Sequence, residues 1–290
     1  MEYFVSARNN AYYHWQLELL IQSFKEYGIE DKLVIAIFSS KDVLYKNFCK
    51  NLINHKRVLE YDCDNSFGPE RGLLGLHQAL KTGELSQPFV FMKSDTLLMH
   101  PIEETGIEAD IDDYEIQFSY DPLMTLEHFV DHGVTVGHNG RWMNLGNVLC
   151  LNNIKLKFFE RLYQRMIDIT SNKKKYFKDP YLPYKNKKVW EAFAEKVCWI
   201  ITIIEHMDVI RPKGISDLEI SLNINYIPAF FIDYSGGLPP FFIKETYKYE
   251  NNCWFTDFEN PFEALSDRLD TTTTSYVSNI IGNYFKEIKK

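Results

Sequence analysis

The apolar run Pro88–Met92 (PFVFM) ends abruptly at Lys93, Ser94 and Asp95, and Leu97, Leu98 and Pro101 follow closely. A strand of this kind delivers its next residues to the carboxyl edge of a sheet. A carboxylate at that edge suits a hard divalent cation, magnesium or manganese, that shares its oxygen ligands with a substrate phosphate. The local alternative is an aspartate that opens a turn or caps a helix. Ser6, Ala7 and Arg8 stand in the same relation to the first apolar run, and Ser39 and Ser40 to the second. Arg8 has the planar fork that reaches a phosphate oxygen; the alternative is a solvated loop cation. A third chemistry-bearing stretch is residues 171–188. It carries Lys173, Lys174, Lys175, Lys178, Lys185, Lys187 and Lys188, with Tyr176, Phe177, Tyr181 and Tyr184 interleaved. Such a loop offers phosphate contacts and stacking on an exposed base. It reads equally as a solvated surface loop.

The elements that must position these residues alternate regularly. Strand signals at Tyr3–Ala7, Lys32–Ser39, Arg57–Asp62 and Pro88–Met92 are separated by helical periodicity over Trp15–Phe24, Val43–Asn54 and Glu70–Thr82, with Gly28 suited to a helix end. This β-α-β-α-β-α-β order predicts an α/β fold, a largely parallel sheet with helices on both faces and ligands bound beyond the carboxyl ends of its strands. The second half predicts strands at 114–119, 148–151, 224–227 and 230–234, long helices at 154–170 and 189–206, an irregular loop at 238–260 and a last helix through Tyr276–Ile288. We read a single domain over 1–290. The regular alternation covers residues 1–100; the less regular half, 101–290, includes the C-terminal helix.

Composition bounds the function. With 290 residues and 45% hydrophobic content, the chain has ample apolar surface to offset ordering entropy, which excludes a disordered protein. No apolar run approaches the roughly 20 residues that cross a bilayer. The opening MEYFVSARNN lacks a positive-then-apolar leader, so the expected location is cytoplasmic, or host cytoplasm for a phage protein. Five cysteines without a Cys-x-x-Cys pair argue for buried thiols rather than a disulfide framework or structural zinc. The net charge of −8 disfavours an extended nucleic-acid surface. The charges are segregated, however: acids gather in 103–113 and 257–270, lysines in 171–188.

Four segments then line up together: Tyr13-His14-Trp15-Gln16 after the first strand; Glu70–Ala79 with Phe89–Asp95; Asn144–Leu149; and Trp190–Trp199. Collectively they resemble a GT-A glycosyltransferase, specifically the hydroxyproline O-arabinosyltransferase and peptidyl-serine galactosyltransferase group. The resemblance implies a Rossmann-like, mostly parallel central sheet with additional C-terminal helices. It implies a UDP-sugar donor carrying arabinose, galactose or glucose, and a retaining transfer. Ser6, Ala7, Arg8, Lys93 and Ser94 would then line the nucleotide and its phosphates, Gln16 would bond donor hydroxyls beside a core Trp15, and Asn147 would lie beside the donor sugar. Glu195 takes the acidic position near the anomeric carbon, with Asp217 and then Glu219 in reserve; the alternative for Glu195 is a solvated helix residue. Where the family has the first aspartate of its metal motif this chain has Lys93, and where it has a later histidine this chain has Asp233. Asp95 and Asp233 are therefore the expected manganese or magnesium pair, unless Asp233 only begins a turn. The preferred acceptor is a hydroxymethylated pyrimidine in bacteriophage DNA, contacted through 171–188. The alternatives are a protein, lipid or glycan acceptor, or a catalytically silent nucleotide-sugar-binding module, which Lys93 suggests.

Overall fold

A computed structural model describes residues 1–9, 11–39, 50–62, 70–94, 96–98, 112–120, 145–176, 187–215, 219–221 and 231–233. Asp95, Asp217, Ser40 and the elements expected at 224–227, 238–260 and 276–288 lie outside the described residues. Among the described residues there are ten strands: β1 Glu2–Arg8, β2 Leu33–Ser39, β3 Val58–Asp62, β4 Phe89–Met92, β5 Thr96–Leu98, β6 Ile116–Tyr120, β7 Leu145–Leu151, β8 Pro212–Ile215, β9 Glu219–Ser221 and β10 Phe231–Asp233. The helices are α1 Ala11–Lys25, α2 Lys50–Asn54, α3 Glu70–Thr82, α4 Leu156–Ser171, α5 Lys173–Tyr176 and α6 Lys187–Glu205.

Seven strands form one sheet in the order β3-β2-β1-β4-β7-β6-β8; β5, β10 and β9 form a second, small one. In the large sheet β3, β2, β1 and β4 are mutually parallel, β7 runs antiparallel to both β4 and β6, and β8 is parallel to β6. The expected α/β class with a mostly parallel sheet is what the chain adopts.

Each strand's alternation sorts its side chains into two cores. Phe4, Val34, Ala36, Phe38, Phe89 and Phe91 face α3, α4 and α6, whereas Tyr3, Val5, Ile35, Ile37, Val90 and Met92 face α1 and α2. Both faces are therefore covered, which is why the strands read as nearly continuous apolar runs. α3 approaches so closely that a Cβ on Gly75 would lie 2.6 Å from the Phe38 ring, so only glycine lets helix and strand meet there. Gly28, three residues past α1, takes a φ of +66° that favours glycine and closes the helix. A buried carboxylate joins α1 to α2: Glu18 accepts the main-chain N–H groups of Asn51 at 3.1 Å and Leu52 at 2.7 Å. Cys150 and Cys198 are free, buried thiols, and burial pushes the Cys150 thiol up to about 12.

Residues 171–188 are not one loop. α4 runs on through Ser171, Lys173–Tyr176 makes a further helical turn, and α6 already begins at Lys187. Tyr176 is only 1% exposed, its hydroxyl donating to Asp168 and accepting from Arg165 at 3.1 Å. A side chain so placed belongs to the core and does not stack on a base. Lys175 likewise holds Asp168 at 3.2 Å.

Three hydrogen bonds thus converge on Asp168, from Tyr176, Asn172 and Lys175, and hold its carboxyl well down, to about 2 against an ordinary 3.8. A depressed folded pKa stabilises the fold above the unfolded value, and that contribution is lost as pH falls through the folded one. Asp168→Asn should therefore flatten the loss of stability between about pH 4 and pH 2. Urea melts across that window check this; an acid limb as steep as the wild type's would contradict it.

Candidate active site

The chain leaves β1 toward β2 and β3 on one side and returns to place β4 on the other. The carboxyl ends of β1 and β4 therefore border the topological switch point, where open α/β sheets form their ligand crevice. Ser6, Ala7 and Arg8 end β1; Lys93 and Ser94 follow β4. Sequence and topology thus point to one edge.

Their orientations differ. The Ala7 methyl is buried in the α1-side core, leaving its main chain at the edge. Ser6 lies beneath the first turn of α3, where a Cβ on Gly72 would come within 2.7 Å of its hydroxyl oxygen. Arg8 is half-buried beside it. Asn9 continues the ladder by donating its N–H to Phe38 O at 2.9 Å, and its side chain meets His14 Nε2 at 2.8 Å. Asn9 and His14 thereby fix the turn that ends β1. Nothing in the sequence marked Asn9; His14 was visible only within the Tyr13–Gln16 motif.

α1 holds the far side of the crevice through two polar residues seven positions apart, and so on one helical face. Ser94 donates to Gln16 Oε1 at 2.6 Å, both residues being buried, and the Leu98 N–H donates to Ser23 Oγ at 3.1 Å. Gln16 thus positions Ser94, where the sequence suggested donor hydroxyls for its oxygen. Asp95 lies outside the described residues, but its neighbours on both sides are tied to α1. β10 then pairs antiparallel with β5 so that Asp233 stands opposite Thr96, the residue after Asp95. Thr96 is fully buried, and its hydroxyl has no hydrogen-bond partner among the described residues. The Thr96 hydroxyl and the Asp233 position are oxygen donors of the kind that a hard divalent cation takes. Among residues whose side chains are described, no group of three histidine, cysteine or acidic residues gathers.

On the opposite face of β4, Phe91 packs tilted against Trp199 with ring centroids 5.4 Å apart, and Phe158 lies 6.2 Å from the indole. Lys93 is two residues past Phe91 on the chain, and Glu195 one turn before Trp199 on α6. Lys93 is near enough for its charge to act on the Glu195 carboxyl. Burial raises the Glu195 carboxyl above its ordinary range; nearby Lys93, then the Trp199 indole N–H and Lys196, hold it back. The indole nitrogen stays short of hydrogen-bond geometry. Asn147 occupies β7 one residue beyond the Met92–Val148 pair, on the crevice side. Glu219 begins β9, parallel to β10 and paired with Phe231. The sequence selected Lys93 and Glu195 separately; the packing of α6 on β4 lets the charge of one act on the other.

The sheet's other edge carries an open polar cleft of about 510 Å³, bordered by Gln87, Asp112, Tyr114, Asn152 and Lys155. It lies at the amino ends of β4 and β6, away from all of these residues.

No protein-family model matches the chain, and no curated protein does. Among solved structures, the apo form of the bifunctional glycosyltransferase WbbM is similar over 97% of this chain, with a TM-score of 0.53 and 11% identity. This chain spans about half the length of that protein, 51%. An active-site mutant of LgtC is similar over 98% of this chain and 96% of its own length, with a TM-score of 0.50 and 11% identity. The fold is that of GT-A glycosyltransferases. At such identities the likeness establishes architecture alone. Among the described residues, no helix is long and apolar enough to cross a membrane.

Proposed function

We propose that this chain is a glycosyltransferase that moves a sugar from a UDP-sugar to a hydroxyl of a macromolecular acceptor. The observation that carries the reading is the β1/β4 switch point of a sheet with the GT-A fold, at whose carboxyl edge Ser6, Ala7, Arg8, Lys93 and Ser94 lie together. As the glycosidic bond to the diphosphate lengthens, negative charge grows on the leaving oxygen and positive charge on the anomeric carbon. A cation and a carboxylate at one sheet edge answer both. Lys93, with Arg8, faces the phosphates; Glu195 faces the sugar, in a transfer that retains configuration, with Asp217 the reserve carboxylate. Asn147 approaches the sugar from β7, and Ser6 and the Ala7 main chain border the nucleotide.

Asp95 and Asp233, with Thr96, are the residues that would hold manganese or magnesium. Such an ion would supply further positive charge for the departing diphosphate. Lys93 already brings one charge to this place, which also favours the silent-module reading: a site that binds the nucleotide without turnover.

For the acceptor we put first the hydroxymethyl group of a modified pyrimidine in phage DNA. That preference rests on Lys174, Lys178, Lys185, Lys187 and Lys188, since Lys175 and Tyr176 are engaged with Asp168. Product mass analysis after incubation with UDP-sugars, hydroxymethylated DNA and a peptide mixture tests it. A hexose or pentose added to DNA supports the first acceptor; addition only to peptide moves the acceptor to protein. Nucleotide binding without any transfer or hydrolysis leaves the silent module.

A further inference from the structure

The cleft at the amino ends of β4 and β6 takes no part in the crevice chemistry, yet its walls are firmly built. Gln87 grips the main chain of Ile154 twice, its Nε2 donating to Ile154 O at 2.6 Å and its Oε1 accepting the Ile154 N–H at 2.7 Å. The Asn152 N–H donates to Glu115 O at 2.9 Å, which fixes the turn after β7 against the start of β6. Between these anchors Asn153 takes a φ of +52°, the left-handed conformation that asparagine tolerates. Arg211 holds the Glu115 carboxylate through Nε at 3.1 Å, Nη2 at 2.8 Å and its main-chain N–H at 2.8 Å. A ligand finds these walls already in place.

Gln87 and Glu115 are spent on the anchors, which leaves Asp112, Tyr114, Asn152, Asn153 and Lys155 to meet a ligand in a space of about 510 Å³. That volume lies within the range of about 300–1,000 Å³ usual for small-ligand sites. The Asn152 amide nitrogen is 3.5 Å from Asp112 Oδ1, so a carboxylate and an amide stand side by side. The charges of the lining groups balance, Asp112 against Lys155 and Glu115 against Arg211, and give an ionic ligand no net attraction. Neighbouring carboxylate and amide groups suit vicinal hydroxyls, which donate to the one and exchange hydrogen bonds with the other. The Tyr114 ring, with Lys213 Nζ 5.0 Å from its centroid, adds an aromatic surface for C–H groups. A second hollow, of about 270 Å³, shares the Gln87 wall; there Leu80, Leu156 and Phe159 present apolar surface beside Lys81. Leu156 is 40% exposed, so this apolar surface is open to a ligand. Polar and apolar hollows thus adjoin, as a ligand with hydroxylated edges and C–H faces requires.

We propose that this cleft binds a neutral oligosaccharide, with Asp112, Asn152 and Asn153 holding hydroxyls and Tyr114 and Leu156 packing on the C–H faces of successive rings. The site goes beyond the transfer reaction proposed above and stands without it. It lies at the strand ends opposite the crevice, so a glycan chain held here leaves the donor position open.

Two-dimensional ¹H–¹⁵N NMR of the full-length chain, titrated with maltotriose, cellotriose and chitotriose, tests this. At least one trisaccharide is expected to bind with a Kd of about 1 mM, moving the signals of residues 112–115 and 152–155 and leaving those of Ser6–Arg8 in place. Asp112→Ala combined with Asn152→Ala should weaken that binding at least about tenfold, and Tyr114→Ala about fivefold. Far-ultraviolet circular dichroism verifies that each variant folds. No binding by any of the three sugars at about 10 mM overturns the inference, as does undiminished affinity in the double variant. Shifts that map to the carboxyl ends of β1 and β4, or displacement of the sugar by UDP, would put the sugar in the crevice and overturn it too. Preferential binding of inorganic phosphate at residues 112–115 and 152–155 would make the cleft an anion site, and so would also overturn it.

Discussion

Glu195→Gln is expected to lower kcat for sugar transfer by about 10²- to 10⁴-fold while the chain remains folded. The glutamine keeps the shape of the side chain and its place beside Trp199, but removes the charge that faces the developing positive centre. Because the transition state passes through an oxocarbenium-like sugar, the loss falls on the chemical step rather than on donor capture. A lower kcat with an unchanged KM for the donor separates this from a general loss of fold. Initial rates against UDP-sugar concentration decide it: a kcat within about threefold of wild type would remove Glu195 from catalysis.

The second large effect is on stability. Trp199→Ala should cost about 3–5 kcal/mol, out of a typical total of about 5–15, because a fully buried indole touching Phe91 and Phe158 is lost and a cavity remains. This tryptophan is the piece that sets α6 on β4. Its removal should therefore also displace Glu195 and lower transfer at temperatures where the variant is still folded. Trp199→Phe, which keeps a ring against Phe91, should recover most of the stability. Urea denaturation followed by circular dichroism measures both variants. A cost below about 1 kcal/mol for the alanine variant would show that the ring contacts do not hold the two elements together.

The first half of the fold was legible because its strands are buried on both faces and its helices are amphipathic. Glu70–Thr82 was read with the bounds of α3, and Lys32–Ser39 starts one residue before β2. β5, β8 and β9 were missed for a physical reason: each has three or four residues, too few for alternation to register. β8 reads Pro-Lys-Gly-Ile, a composition that disfavours strands. β8 is an edge strand paired with β6, where a leading proline is tolerated. The lysine-rich segment was misread because charge density signals solvent. It cannot reveal that Tyr176 folds back under Arg165 and Asp168. In the candidate site the resemblance paired Asp95 with Asp233, and the β5–β10 register sets Asp233 opposite Thr96. The Phe91–Trp199 contact joins residues about a hundred positions apart, which no local pattern encodes.

The central claim is that the β1/β4 crevice cleaves the bond between a sugar and a nucleoside diphosphate. Release of UDP from a panel of UDP-sugars, measured with the purified chain in the presence of manganese, addresses it most directly, because slow donor hydrolysis needs no knowledge of the acceptor. The expected result is UDP release from at least one UDP-sugar by the wild type, reduced to background in Glu195→Gln. No release from any UDP-sugar, or equal release by both proteins, would contradict the account.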